Sequence, residues 1–133
     1  MGNQSDENAE IIKRAYKAFN EADIHVLNEL LDDNSSWHSP GRNPFAGDYF
    51  GKEAVFALFG HYGSDTGGNF YVDLKHLLKC DHDKVVGVQH ITAMRKGKKL
   101  DVWSCNYFKV KNGKITEGRE YIYDLYAWDE FWS

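Results

Sequence analysis

The sequence predicts an α+β fold in which three helices are followed by an antiparallel meander. Three observations predict it. Apolar residues recur at helical spacing as far as Tyr62, the period changes to two from Phe70 onward, and glycine-containing turns divide the second half into strand-length pieces.

The elements follow in order. Ser5, with Asp6 and Glu7 after it, offers a capping hydroxyl and acids for the positive first turn of a helix on which Ile12, Tyr16 and Phe19 share a face. Asp23 is placed to cap a second helix carrying Ile24, Leu27 and Leu31. A third runs from about Lys52 to Tyr62, with Val55, Leu58, Phe59 and Tyr62 on one stripe, and "GSDTGGN" ends it. Phe70, Val72, Leu74, His76 and Leu78 then alternate with Tyr71, Asp73, Lys75 and Lys79 as a half-buried strand. "DHDK" is a turn, Val85 to Met94 a strand, "RKGKK" a turn and Leu100 to Val110 a strand. Asn112-Gly113 is the strongest hairpin signal in the chain, because both residues tolerate positive φ. A last strand from Ile115 to about Tyr123 precedes "DLYAWDEFW", a short amphipathic turn or helix.

Turn lengths set an expected register. A two-residue Asn112-Gly113 loop places Val110 opposite Ile115, Cys105 opposite Glu120, Tyr107 opposite Gly118, Trp103 opposite Ile122 and Asp101 opposite Asp124. A hairpin centred on Gly97 sets Gln89 opposite Cys105 and Ile91 opposite Trp103, and a four-residue "DHDK" loop sets His76 beside Gln89. One face then gathers His76, Gln89, Cys105, Tyr107, Glu120 and Asp124 among Leu74, Ile91, Trp103 and Ile122. The other carries Val88, His90, Val102, Ser104, Asn106, Phe108, Arg119 and Tyr121, and a one-residue slip would exchange the two sets. Neither set is a plain polar surface, which predicts helices and a cavity on one side and a second subunit on the other.

Composition narrows the function classes. At 133 residues, 42% hydrophobic and 27% charged, residues 1–133 suit one soluble domain able to bury a core. Aromatics at 15% exceed what a core needs and favour a pocket or an interface. A net charge of −4 argues against a nucleic-acid surface, and "RKGKK" reads as a solvated turn. The polar, acidic N-terminus lacks the apolar stretch of a secretory signal, Ser5 falls one residue short of the position a myristoylation signal at Gly2 needs, and no apolar run approaches the roughly 20 residues that cross a bilayer. Cys80 and Cys105 have no metal or redox spacing and read as inert reduced thiols. The expectation is a cytoplasmic protein with no membrane or nucleic-acid partner. His82 beside Cys80 lacks a second ligand pair, and no phosphate loop or dinucleotide fingerprint is present, so neither metal nor cofactor is expected.

Both prolines of the chain lie in "WHSPGRNPFAG", residues 37–47. Pro40 cannot donate a ladder hydrogen bond and ends a strand, and Pro44 stiffens the crossing to the third helix, so the segment reads as a rigid rim.

The runs "RAYKAFNEADIHVLNELLDDNSSWHSPG", "GDYFGKEAVFALF", "GKITEGREY" and "YAWDEFW" resemble the SnoaL-like branch of the nuclear transport factor 2-like superfamily, over nearly the whole chain. That branch is named for a polyketide cyclase and is related to ketosteroid isomerases, scytalone dehydratase and limonene epoxide hydrolase. The resemblance implies a cone-shaped α+β barrel, three N-terminal helices packed on a curved, mainly antiparallel sheet, a dimer, and an apolar pocket between sheet and helices. It leaves the chemistry open, because the scaffold hosts enzymes and binders alike. Residue by residue, the isomerase base position falls on Ser39, its tyrosine position on Ala15 with Tyr16 one place off, and its sheet aspartate near Cys105, so the classical isomerase mechanism is rejected. The cyclases' acidic residue late in the sheet corresponds to Glu120 or Asp124, and the dehydratases' histidines to His76. The hydrolases' Asp-Arg-Asp set does not assemble, because Arg119 is expected on the face opposite Asp101 and Asp124.

The candidate site therefore comprises His76, Asp124 and Glu120 as acid–base residues. Gln89 or Glu120 would fix the His76 tautomer, and Asp124 has the ordinary alternative of capping the last helix. Trp37, Ser39, Gln89, Ile91, Trp103, Cys105, Tyr107 and Ile122 are expected around the ligand. His38 alternates away from Trp37 and Ser39, where a histidine is ordinarily satisfied or interfacial, and stays among the ligand residues because a slip of its short strand would reverse it. The expected function is a pocket for a small hydrophobic or ring-containing molecule with cofactor-free isomerase, cyclase or dehydratase chemistry. The alternative is a non-catalytic binding or dimerisation module, and a homodimer through the outer sheet face is expected in either case.

Overall fold

Burial alternates along the strands with the period the sequence shows, and that alternation gives the sheet one covered face. The computed structural model describes residues 3–133, so the reading at Gly2 lies outside the described residues. Four helices and six strands follow one another: α1 (Asn3–Asn20), α2 (Ile24–Leu30), β1 (Leu31–Ser39), β2 (Gly47–Phe50), α3 (Lys52–Ser64), β3 (Tyr71–Lys79), β4 (Lys84–Arg95), β5 (Lys98–Lys111), β6 (Lys114–Ile122) and α4 (Leu125–Trp132). The strands form one open sheet in the order β2-β1-β6-β5-β4-β3. Neighbours run antiparallel except β1 and β6, which are parallel. The α+β class with helices on a mainly antiparallel sheet is as expected; β2 and the parallel pair were not.

Local chemistry explains the helices. Asp23 caps α2 by accepting from the Val26 amide at 3.2 Å. Leu31 closes that helix and opens β1 instead of extending it. Ser5, read as a cap, lies inside α1, whose described part begins two residues earlier. Ile12 and Tyr16 bury one face of α1, and Val55, Leu58 and Tyr62 one face of α3. Helix α1 packs on β3 and β4, α3 on β1 and β2, and α4 on β5. The core between them contains Leu31, Trp37, Phe70, Val85, Leu100, Phe108, Ile115, Trp128 and Trp132.

Three register details differ from expectation, and two of them overturn the expected face of β5. The β4–β5 loop is Lys96-Gly97, with Arg95 paired to Lys98, so Gln89 sits opposite Ser104 and not Cys105. Lys96 accepts a φ of 49° and Gly97 one of 75°, which makes a two-residue loop possible where a glycine-centred one was expected. Val110 does face Ile115 across Asn112-Gly113, but a bulge then sets Lys109 opposite Glu117 and Asn106 opposite Glu120. A second bulge follows Leu74, which pairs with Gln89, so that His76 faces Val88. Ser104, Asn106 and Phe108 consequently point inward, and Trp103, Cys105 and Tyr107 outward. Asp101 and Arg119 also share the outer face, correcting the opposition expected between them.

The proline-bearing segment is fixed from the chain's other end. Asp129 Oδ1 accepts from the Arg42 amide at 3.0 Å and Asn43 Nδ2 at 2.7 Å. Gly41, at φ 101°, lies where a Cβ would collide with that carboxylate. Part of the basic turn has a task that the sequence reading missed. Arg95 Nη1 donates to the Phe131 carbonyl at 2.7 Å and Lys98 Nζ to the Glu130 carbonyl at 2.8 Å, placing two cations at the negative end of α4. Among the described residues no helix is long and apolar enough to cross a membrane.

Asp124 is exposed and caps α4, its Oδ1 accepting from the Ala127 amide at 3.0 Å. Replacing Asp124 with alanine is expected to lower the unfolding free energy by about 1 kcal/mol in urea titrations. An unchanged midpoint would remove the capping role.

Candidate functional site

The site begins with a missing side chain. Gly118 of β6 is the register partner of Trp37 on β1, and a Cβ on Gly118 would overlap the six-membered ring of that indole. The glycine lets the Trp37 ring lie against the neighbouring strand. The indole is held edge-on by Phe59, with centroids 4.9 Å apart, and tilted against Phe108 at 5.8 Å. In this position Trp37 Nε1 donates to Glu120 Oε2 at 2.7 Å.

Two further donors converge on Glu120. Ser39 Oγ, two residues along β1 on the same face, reaches Oε1 at 3.0 Å. The Tyr62 hydroxyl, descending from α3, lies 3.1 Å from Oε2 and 3.3 Å from Oε1. Tyr62 is itself stacked between Phe70 (5.0 Å, 11°) and Trp132 (5.3 Å, 26°), so its hydroxyl has little freedom to leave. Burial, and after it the Glu120 charge, push the Tyr62 phenol well above its ordinary value, which keeps it a donor.

Glu120 is 7% exposed as a whole residue, and its carboxyl is buried. Burial opposes its charge, while the Trp37, Ser39 and Tyr62 hydrogen bonds favour it. Burial wins, and the pKa is pushed up from 4.5 to about 7. At neutral pH the group is therefore close to evenly divided between acid and base, the condition in which a carboxyl can both take and return a proton.

Above this carboxyl lies a cavity between the inner sheet face and the helices. It holds about 70 Å³ of room for the centres of water-sized molecules, within about 630 Å³ of space not filled by atoms, counting its open side. The first figure is several times what one water needs. The walls are mostly aromatic and aliphatic, from Phe19, Leu27, Trp37, Phe59, Phe70, Ile91, Phe108 and Trp128. Besides Glu120, its polar stations are Tyr16, Tyr62, Gln89 and Asn106. The Tyr16 hydroxyl donates to Gln89 Oε1, and Gln89 Nε2 donates to Ser104 Oγ at 2.7 Å. Burial raises the Tyr16 phenol far above its ordinary value, against a smaller opposing effect of the Asn106 amide. Gly87 makes room for that hydroxyl as Gly118 does for the indole.

The structure thus brings Trp37, Ser39, Gln89, Ile91, Glu120 and Ile122 to the inner face, and of these Trp37, Gln89, Ile91, Glu120 and Ile122 line the cavity. The other candidates lie elsewhere. His76 is exposed on β3 beyond the bulge, and Asp124 is occupied as a helix cap. Trp103, 49% exposed, Cys105 and Tyr107 lie on the outer face of β5 because of the register shift. His38 also lies on the outer face, its Nδ1 2.6 Å from Asp48 and its Nε2 3.0 Å from Glu117. Burial raises Glu117, but Lys109, Arg119 and His38 outweigh it and hold that carboxyl below its usual range. Tyr16 and Tyr62, read only as members of helix faces, and Ser104 and Asn106, read as outer residues, are the inner side chains of the candidate site that the sequence reading missed. Gly87 and Gly118, glycines inside strand patterns, were the signals of close approach that could have found the inner face. Among the described residues no three His, Cys, Asp or Glu side chains are grouped to hold a metal.

A raised pKa makes folding pH-dependent in a defined direction. The unfolded chain loses the Glu120 proton near 4.5, whereas the folded protein retains it to about 7. The stability linked to this proton is complete below 4.5 and is lost as pH rises to 7, by roughly 3 kcal/mol for the fully buried group. Glu120→Gln is expected to abolish that decline, seen as the difference between wild-type and variant unfolding free energies from pH 4.5 to 8. Parallel profiles would contradict the assignment.

Residues 12–118 match the family model of the SnoaL-like domain. Over 128 residues, 96% of this chain and 98% of the relative, the sequence is 27% identical to the uncharacterized protein Rv0034 of Mycobacterium tuberculosis. Bal32a, from a soil-derived mobile gene cassette, is 53% identical and has a TM-score of 0.97, with 98% of this chain and 100% of that one covered. An NTF2-like protein of Burkholderia xenovorans LB400 has a TM-score of 0.81 at 23% identity, covering 96% and 97% of the two chains, a likeness of fold. The chain belongs to the SnoaL-like domain family.

Proposed function

We propose that the inner cavity binds a small hydrophobic, ring-bearing molecule and that Glu120 transfers a proton on it without a cofactor. The observation carrying this reading is the buried carboxyl at an apolar cavity wall, poised near neutrality. As carboxylate, Glu120 would remove a proton from a carbon beside a carbonyl; as acid, it would return the proton to the resulting enolate. Trp37, Ser39 and Tyr62 hold the carboxyl in place by three directions of hydrogen bonding, so little reorganisation accompanies the change of charge. The aromatic walls would align a flat ring and exclude water. This chemistry is common to isomerisation, cyclisation and dehydration.

A second reading is a non-catalytic binding module. It is favoured by the fact that both Glu120 oxygens are already engaged by protein donors. We further propose that two copies associate through the outer sheet face, where Trp103, Tyr121 and Leu78 are about half exposed. Light scattering is expected to give twice the 15.3 kDa chain mass, and Trp103→Arg the single mass. A wild-type monomer would contradict this.

The two readings of the cavity separate with 2-tetralone, a two-ring ketone with acidic carbon protons, followed by NMR in D₂O. Catalysis predicts exchange of the protons beside the carbonyl above the buffer rate, with an inflection near pH 7 (Glu120 becoming a base) and loss of the acceleration in Glu120→Gln. Binding of the ketone without accelerated exchange would sink the catalytic reading and leave the module.

A further inference from the structure

The amide oxygen of Asn106 is buried without a partner. Asn106 is 8% exposed, lines the cavity, and its Oδ1 accepts no hydrogen bond among the described residues. Its surroundings explain the vacancy. On one side its register partner is Gly87, which has no side chain to offer, and the Tyr16 hydroxyl occupying that space is spent on Gln89. Ser104, next on the inner face of β5, accepts from Gln89 and makes no hydrogen bond to the Asn106 oxygen. On the other side the register partner is Glu120, whose donors arrive from β1 and α3.

Leaving a buried acceptor unpaired is unfavourable, and a leucine would fill the same volume without that cost. A polar side chain held unpaired at the edge of a mostly apolar hollow has its natural complement in a molecule that enters the cavity. We propose that Asn106 is the specificity-determining residue of the cavity, accepting a hydrogen bond from a hydroxyl or N–H on the ligand ring. The inference rests on the reading of the cavity as a binding site and names the class of ligand that site selects. Directly opposed side chains in an antiparallel pair have Cβ atoms about 5 Å apart. One six-membered ring therefore spans Asn106 and Glu120, so the donor and the carbon that Glu120 addresses belong to the same or adjoining rings. The ligand is a hydroxylated or N–H-bearing ring compound, in preference to a plain hydrocarbon or an ether.

Three probes of similar shape test this by calorimetry at pH 7: naphthalene, 2-naphthol and 2-methoxynaphthalene. An apolar cavity without a free acceptor would favour naphthalene, because a hydroxyl must shed its water to enter. With Asn106 accepting, 2-naphthol is expected to bind about tenfold more tightly than either of the others. Asn106→Leu should erase that preference while keeping or improving naphthalene binding, and Glu120→Gln should retain the preference. Asn106→Ala serves the same purpose if the leucine variant does not fold. Equal binding of the three, tighter binding of the ether, or a preference that survives at Asn106 variants and disappears in Glu120→Gln would overturn the proposal and leave the cavity as a site. Failure of all three probes to bind would remove the cavity reading itself.

Discussion

The contact between the Trp37 indole and the bare backbone of Gly118 is the constraint on which the site depends. A side chain at Gly118 would lift the indole from the sheet, and its N–H would no longer reach Glu120 at 2.7 Å. The ring is at once a cavity wall, a packing partner of Phe59 and Phe108, and a donor to the carboxyl. The same absence of a Cβ, repeated at Gly87, seats Tyr16. Two glycines in adjoining parts of one sheet thus turn bulky donors inward, where plain strand residues would close the space.

Glu120 expresses the balance that results. Three donors without burial would hold a carboxyl low, and burial without donors would keep it neutral over most of the pH range. Together they place it near 7, where either protonation state is accessible. One carboxyl on the outer face behaves differently. Glu117, the residue beside Lys109, Arg119 and His38, is held low by those charges despite partial burial. Residues three apart on one strand therefore differ because the sheet separates a charged exterior from an aromatic interior.

Much of the architecture was legible because it rests on short-range chemistry. Asp23 capped its helix, Asn112-Gly113 formed its two-residue loop, and the change of period marked where strands replace helices. Register was less legible. The Lys96-Gly97 loop and the bulge after Val110 each displaced β5 by one residue, turning Trp103, Cys105 and Tyr107 outward and Ser104, Asn106 and Phe108 inward. Between β4 and β6 the two displacements add to two residues, a shift that preserves the face, which is why Gln89, Ile91, Glu120 and Ile122 were placed on the correct face while their neighbours on β5 were not. Apolar pattern could not settle β5, because Trp103 and Tyr107 on one side compete with Val102 and Phe108 on the other. His76 was lost to a bulge that leaves no trace in composition.

The SnoaL-like scaffold accounts for the placement of helices over a sheet, and the side chains that line its hollow are this chain's own. The account stands on one quantity, the affinity of Glu120 for its proton inside the folded protein. A ¹³C NMR titration of the Glu120 side-chain carboxyl, assigned by comparison with Glu120→Gln, measures it directly. The account predicts a midpoint near pH 7. A midpoint at or below the ordinary glutamate value would contradict it.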